Sequence, residues 1–228
     1  MNNEKIIKLS KFYIWQLWYV EFDNIGEDVT YKIVRKDNTL FIVFRGSTEL
    51  NDWKHNFMFW KAFRKQNPYK DMTTKFKVHK GFLHCWKQVE DIVIEKIKDP
   101  TIKQIIISGY SHGAGLAVLC HECVWFHRPD LRENNLFGYG FGCPRVIGKF
   151  RLNANLKARW KNFKVFRNHL DLVTHLPPKL LGYTHVSKPI KIWNKKHYGP
   201  IKSHHELNIV KSLIKYEKEH PNEFIHIK

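Results

Sequence analysis

Apolar and polar positions change period several times along the chain, and each change marks an element. Tyr13, Ile14, Leu17 and Trp18 recur at helical spacing within Leu9 to Phe22, which predicts a helix with Ser10 as its cap. Tyr31 to Arg35 roughly alternates, Lys36-Asp37-Asn38 is a turn signal, and Leu40 to Arg45 is almost continuously apolar. Together they predict a hairpin whose second strand is buried on both faces. Helical spacing returns from Leu83 to Lys98, through Trp86, Val89, Val93 and Ile97, and Asp99-Pro100 stops it. Three isoleucines then run into Gly109, and small and apolar residues continue to about His127. That is strand, tight turn, helix. Leu136 to Gly142 predicts a glycine-rich strand, Asn153 to Trp160 a short helix, and Phe163 to Asn168 another strand. A further strand falls within Tyr183 to Trp193. Ser203 and Glu206 have the spacing of a capping box, opening a last helix with Leu207, Val210 and Ile214 on one face.

Strands alternating with helices imply an α/β fold, a mostly parallel sheet covered on both faces. Sites in such sheets form at the carboxyl ends of strands. Gly46-Ser47, Ser111 and Asp171 sit at such ends. The connection from Asn51 to Phe63 is unusually aromatic, and Trp53, Phe57 and Trp60 share one helical face. It predicts either a helix packed on the core or an amphipathic flap over a site.

Composition narrows the class. At 228 residues, 43% of them hydrophobic, the chain is expected to form one globular domain, 1–228, and a disordered chain is excluded. Lys and Arg number 39 against 21 Asp and Glu, a net charge of +18. Such a surface attracts polyanions such as anionic lipid, although Lys spread along the chain also fits a general compositional bias. No signal peptide is read at the N-terminus and no apolar stretch approaches a membrane span. Four cysteines do not make a disulfide framework at this length, so a reduced, cytoplasmic protein, peripheral to membranes at most, is expected. Cys120-His121-Glu122-Cys123 lacks a second cysteine pair and predicts core thiols rather than a zinc site.

The chemistry centres on Gly109-Tyr110-Ser111-His112-Gly113, a G-x-S-x-G in the strand–turn–helix context of a nucleophile elbow. The turn holds the serine in a strained conformation, and a Cβ on either glycine would strike the neighbouring strand or helix. A serine hydroxyl needs an imidazole to take its proton and a buried carboxylate to fix that imidazole. In elbow hydrolases the acid follows the serine and the histidine follows the acid. Asp171, at a strand end between two leucines, fits better than Asp130 in a helix exit. With 14 histidines in the chain a lone His says little. His175 and His185 suit structural roles. The pair His204 and His205, on the first turn of the last helix, is favoured over His197, and helical phase does not separate the two.

Six segments in order resemble the class 3 lipases, the fungal triacylglycerol lipase type of α/β hydrolase. They are Ile42 to Ser47 with Asn51-Asp52-Trp53; Val78 to Phe82; Gly109 to Gly113; Gly140 to Val146; Asp171 to Pro178; and Gly182 to Val186. The resemblance implies an α/β-hydrolase-like fold, Ser111 as nucleophile and Asp171 as acid. It implies the amides of Ser47 and His112 as the oxyanion hole, and the aromatic stretch as a lid. It makes His185 non-catalytic and, through Leu207 two positions on, selects His205 as base with His204 as runner-up. The family usually has His-Ser-Leu-Gly-Gly where this chain has Tyr110-Ser111-His112-Gly113-Ala114. The His112 imidazole would therefore line the pocket.

The expected function is hydrolysis of carboxylic esters of lipids through a Ser-His-Asp triad and an acyl-enzyme, with no metal or organic cofactor. The alternatives are phospholipase A1-type or acyltransferase activity, or an inactive lipase fold that binds anionic membranes. The expected partner is a lipid or small ester, not nucleic acid. The sequence leaves acyl-chain length, headgroup and oligomeric state open.

Overall fold

The computed structural model describes residues 5–25, 29–46, 61–63, 76–149, 151–194, 199–223 and 225–227. In chain order the strands and helices are β1 (Lys5–Ile7), α1 (Leu9–Trp18), β2 (Asp23–Ile25), β3 (Val29–Lys36), β4 (Thr39–Phe44), β5 (Lys61–Phe63) and β6 (Lys77–His79). They continue as α2 (Lys80–Ile97), β7 (Gln104–Tyr110), α3 (His112–His127), β8 (Leu136–Phe141), α4 (Ala154–Arg159), β9 (Phe163–Asn168) and β10 (Ile190–Ile192). The last three are α5 (Pro200–His204), α6 (Glu206–Glu219) and β11 (Ile225–Ile227).

A seven-stranded sheet of order β10-β9-β8-β7-β4-β3-β2 carries the fold. β4, β7, β8, β9 and β10 run parallel, and β3 and β2 extend the sheet antiparallel. The predicted hairpin is β3-β4, and all six residues of β4 are buried. Alternation along the central strands feeds two cores. Leu40, Ile42, Phe44, Ile105 and Ile107 face the core under α2, α3 and α4. Phe41, Val43 and Ile106 face the core under α1 and α6. Every strand of the parallel run therefore delivers its carboxyl end to one edge of a layer covered on both sides.

Several local expectations change. The first helix ends at Trp18, which is exposed, and Ser10 is not its cap. Instead Ser10 donates its amide and hydroxyl to the Glu217 carboxylate of α6, each at 2.7 Å. That contact satisfies α1's first turn from another helix. The Ser203–Glu206 capping box does not form. Ser203 lies inside α5, and α6 is capped by His205, whose Nδ1 accepts from the Leu207 amide at 3.4 Å. The face of α6 on the core carries Ile209, Val210, Leu213 and Tyr216, while Leu207 and Ile214 are exposed. The kink at His205 resets the helical phase that the sequence pattern took from Ser203. The short strands β1 and β11, which pair antiparallel, carry too little periodicity to be read from sequence. Of the aromatic stretch, 51–60 lies outside the described residues, and Lys61–Phe63 is a strand paired with β6 rather than helix. Among the described residues no helix is long and apolar enough to cross a membrane.

Candidate functional site

Ser111 stands in the turn between β7 and α3 with φ 56 and ψ −123. For a residue with a Cβ this is strained backbone, held because both neighbours leave no slack. A Cβ on Gly109 would sit 2.2 Å from the Gly113 carbonyl oxygen at the start of α3. One on Gly113 would sit 2.3 Å from the Arg45 oxygen and 2.4 Å from that of Phe44, at the end of β4. The two glycines thus let helix and strand close on the turn from opposite sides. The Ser111 amide donates to the Phe141 carbonyl of β8 at 2.9 Å, which fixes the turn to the next strand. Gly46 lies against it, since a Cβ there would be 3.0 Å from the Ser111 Cβ.

Asp171 follows β9 in a turn that begins with the Asp171 amide donating to the Asn168 carbonyl. Its side chain is fully buried, and Oδ1 accepts from the Val173 amide at 3.0 Å. His204 Nδ1 lies 2.9 Å from Oδ1 and 3.0 Å from Oδ2 of that carboxylate. His204 Nε2 lies 2.8 Å from Ser111 Oγ. A carboxylate only accepts, so Nδ1 carries the proton and Nε2 accepts from the serine hydroxyl. Serine, imidazole and carboxylate are all nearly inaccessible to solvent. The structure therefore joins Ser111, His204 and Asp171.

His205, selected from the sequence as the base, is not the histidine brought to the serine. It is exposed and caps α6. The reason is the break between α5 and α6. His204 ends one helix and turns inward, and His205, in extended conformation with ψ 136, begins the next and turns outward. The other candidates lie elsewhere. The His185 Nε2 bonds the Thr174 carbonyl at 2.9 Å, and burial pushes its pKa down to about 4. His175 is lowered by burial and by the Arg167 and Arg145 guanidinium groups. Asp130 is exposed, as a solvated turn residue would be, and pairs with the buried Arg128. Cys120 and Cys123 are buried in the core, and burial pushes the Cys120 thiol well up. His197 and Ser47 lie outside the described residues.

His112 begins α3, so its amide stands at the positive end of that helix beside Ser111. Its ring stacks on Phe82 at 5.1 Å and 23°, and Phe82 meets His79 edge-on at 5.2 Å. Burial, followed by the neighbouring His112, lowers the His79 pKa to about 4.

Three supports were not singled out from the sequence. Helix α5 is one turn long: the His205 amide donates to its Lys202 carbonyl at 3.2 Å, and its last carbonyls also draw donors from outside the helix. Side chains from three elements supply them. Asn208 Nδ2 donates to the Lys202 oxygen at 2.8 Å, Asn168 Nδ2 to that of Ser203 at 2.7 Å, and the Tyr110 hydroxyl to that of His204 at 2.7 Å. Gly142, at φ 59, is the fourth support: a Cβ there would meet His204 Cε1 at 2.7 Å and Asp171 Oδ2 at 3.1 Å. Gly142 ends the stretch read from the sequence as a glycine-rich strand, and the group that comes close to it is the imidazole.

A strained serine after a central parallel strand, with an acid from a later strand end and an imidazole from a helix beyond it, is the arrangement of the α/β-hydrolase fold. Residues 41–181 match the model of the family "Lipase (class 3)", and the chain belongs to that family. It is similar to the lipase of Rhizomucor miehei, 29% identical over 167 residues, which are 71% of this chain and 44% of that protein. The lipase of Rhizopus niveus is 27% identical over 170 residues, 72% of this chain and 42% of that one. The chain thus spans under half the length of these curated relatives. Among solved structures, the Rhizomucor miehei lipase in its propeptide complex matches at a TM-score of 0.61 and 25% identity, covering 85% of this chain and 58% of that one. A triacylglycerol lipase described as having a serine protease triad as its catalytic centre matches at a TM-score of 0.60 and 25% identity, covering 85% and 68%. A relative from Malassezia restricta, 30% identical over 51% of this chain and 38% of its own length, is named a secreted mono- and diacylglycerol lipase. The relatives therefore do not carry the expectation of a cytoplasmic location.

Proposed function

We propose that the chain is a serine hydrolase acting on carboxylic esters of lipids, with Ser111 as nucleophile, His204 as general base and Asp171 as its orienting acid. The observation that carries this reading is the 2.8 Å contact between His204 Nε2 and Ser111 Oγ, with Nδ1 on the buried carboxylate. Ser111 Oγ attacks the ester carbonyl while its proton passes to Nε2. Asp171 stabilises the imidazolium formed. The tetrahedral oxyanion is held by the His112 amide at the α3 N-terminus, with the Ser47 amide as the second donor. The imidazolium then protonates the leaving alcohol, and water, activated by the same histidine, releases the acyl group from Ser111. The activity of the relatives named above supports the ester substrate.

Hydrolysis of p-nitrophenyl esters of graded chain length by the wild type, Ser111→Ala, His204→Ala and His205→Ala tests the reading. Ser111→Ala and His204→Ala each lose about 10⁴-fold or more in kcat, and His205→Ala stays within a few-fold. Equal hydrolysis by the wild type and Ser111→Ala, or loss in His205→Ala with retention in His204→Ala, refutes it.

One observation favours a substrate presented on an anionic lipid surface, including phospholipase A1-type cleavage. Leu170 and Leu172 flank Asp171, and Ile201 lies one turn before His204; all three are exposed on a chain of net charge +18. Binding to vesicles containing anionic lipid should then fall steeply with added salt. Salt-independent binding removes this second reading.

A further inference from the structure

The residue before the nucleophile has two contacts that the chemistry above does not use. Tyr110 is the last residue of β7 and is buried. Its ring lies against the His204 imidazole, centroids 5.1 Å apart and planes 20° from parallel. Its hydroxyl donates to the His204 backbone carbonyl at 2.7 Å. One side chain thus touches both the ring and the backbone of the same histidine. The Tyr110 ring is itself held edge-on by Tyr13 of α1, at 6.1 Å and 71°, and a Cβ on Gly46 would come within 2.9 Å of its Cδ1.

The contacts matter because of how His204 is mounted. Asp171 holds the imidazole by Nδ1 alone, in a bond that leaves rotation about the Nδ1–carboxylate axis open. Motion about that axis swings Nε2 away from Ser111 Oγ. A flat ring on one face of the imidazole, with the Gly142 backbone so near that an added Cβ would lie 2.7 Å from Cε1, limits the swing. The hydroxyl closes the remaining freedom, since the His204 carbonyl is one of those left orphaned at the end of α5. The position is also where this chain departs from its family's usual His before the serine.

We infer that Tyr110 is a positioning residue that fixes the His204 imidazole in line with Ser111, through ring stacking on one face and a hydrogen bond to the His204 carbonyl. The inference rests on the proposed roles of Ser111, His204 and Asp171. It adds the specific consequence that the aromatic face governs turnover, while the hydroxyl chiefly governs the mount.

The test compares Tyr110→Phe, Tyr110→Leu and Tyr110→His on a short-chain p-nitrophenyl ester, reading kcat, KM and thermal midpoint. Tyr110→Leu should lose roughly 100-fold in kcat with KM within about twofold, the scale of a misplacement near 1 Å. Tyr110→Phe, which keeps the face, should lose no more than about tenfold, and Tyr110→His should recover most of what Tyr110→Leu loses. A Tyr110→Leu protein with kcat within threefold of wild type overturns the inference. So does a kcat that tracks the thermal midpoint alone across the three variants. If Tyr110→Leu does not fold, the Phe and His variants decide: a flat ring that fails to sustain turnover in folded protein refutes positioning by the face. Proton NMR separates this outcome from failure of the hydrolase reading. The carbon-bound imidazole protons of His204 should carry a ring-current displacement in wild type and Tyr110→Phe that vanishes in Tyr110→Leu, whether or not any ester is cleaved. Absence of that displacement in the wild type refutes the stacking, whereas wild-type protein without Ser111-dependent hydrolysis refutes the hydrolase reading.

Discussion

Gly142→Ala tests the site where the backbone closes on the imidazole. Gly142 closes the end of β8, and its amide donates to the Phe166 carbonyl of β9 at 3.0 Å, so its backbone has little freedom to move. The added methyl would lie 2.7 Å from His204 Cε1, 2.9 Å from Nδ1 and 3.1 Å from Asp171 Oδ2. To regain van der Waals distance the imidazole must retreat by about 0.7 Å. A retreat of that size stretches the 2.8 Å bond to Ser111 Oγ toward the limit of a useful hydrogen bond. The Tyr110 ring stacked on the imidazole limits where it can go. Separately, an alanine at φ 59 costs about 1–2 kcal/mol of backbone strain.

Two effects are therefore expected, and they are separable. The thermal midpoint should fall by about 2–4 °C for each kcal/mol of strain. Turnover should fall by about 100-fold, because displacement of a reacting group by a large fraction of an ångström has that cost. KM should barely change, since Ser111 and the His112 amide stay in place. The assay is steady-state hydrolysis of a soluble p-nitrophenyl ester well below the measured midpoint, beside a thermal melt. A variant that melts lower but turns over within threefold of wild type would refute the packing of His204 against Gly142.

Two further outcomes concern the core. Arg159 and Glu122 form a buried ion pair at 2.6 Å, so Glu122→Gln should cost about 3–5 kcal/mol in urea unfolding, while Arg159→Met with Glu122→Leu should recover much of the loss; a single variant within 1 kcal/mol (about fivefold) of wild type would contradict the pairing. His121 is fully buried with its pKa lowered to about 3 by desolvation, so the unfolded chain binds its proton first as pH falls. Its penalty is absent above about pH 6.5, accumulates as pH falls, and levels off below about 3; His121→Leu should flatten urea-measured stability between pH 6 and 4 by about one proton, and an unchanged slope would show that another group carries it.

How much of this could be read from sequence follows from how local each determinant is. The β3-β4 hairpin and the strand–elbow–helix around Ser111 were legible because their causes are short-range: a turn signal, an apolar run, two glycines at fixed offsets. Gly109 and Gly113 do what that spacing demands, against the start of α3 and the end of β4. Asp171 was legible because a carboxylate between leucines at a strand end has few ways to be satisfied. The role of Ser10 was not, since its partner is Glu217, 207 positions away.

The misplaced histidine has the same origin and is the more instructive case. Ser203, His204, His205 and Glu206 read locally as one helix start, and in one continuous helix adjacent residues differ by about 100°. No local signal marks the break after His204, because what ends α5 there is a set of side chains from elsewhere. Asn168 comes from β9, Tyr110 from β7 and Asn208 from α6, each taking one of three successive carbonyls. Asn168 is in turn fixed by the Ser212 hydroxyl at 2.8 Å. With those carbonyls satisfied laterally, the chain is free to abandon helical geometry at His205 and restart. His204 is thereby left on a one-turn pedestal facing Ser111, and its neighbour becomes the cap of α6. Which of the two adjacent histidines faces Ser111 thus depends on hydrogen bonds spanning up to 94 positions of sequence. Two of the three donors, Tyr110 and Asn168, lie within three residues of Ser111 or Asp171, so the strand ends that present the serine and the acid also hold the backbone that presents the imidazole.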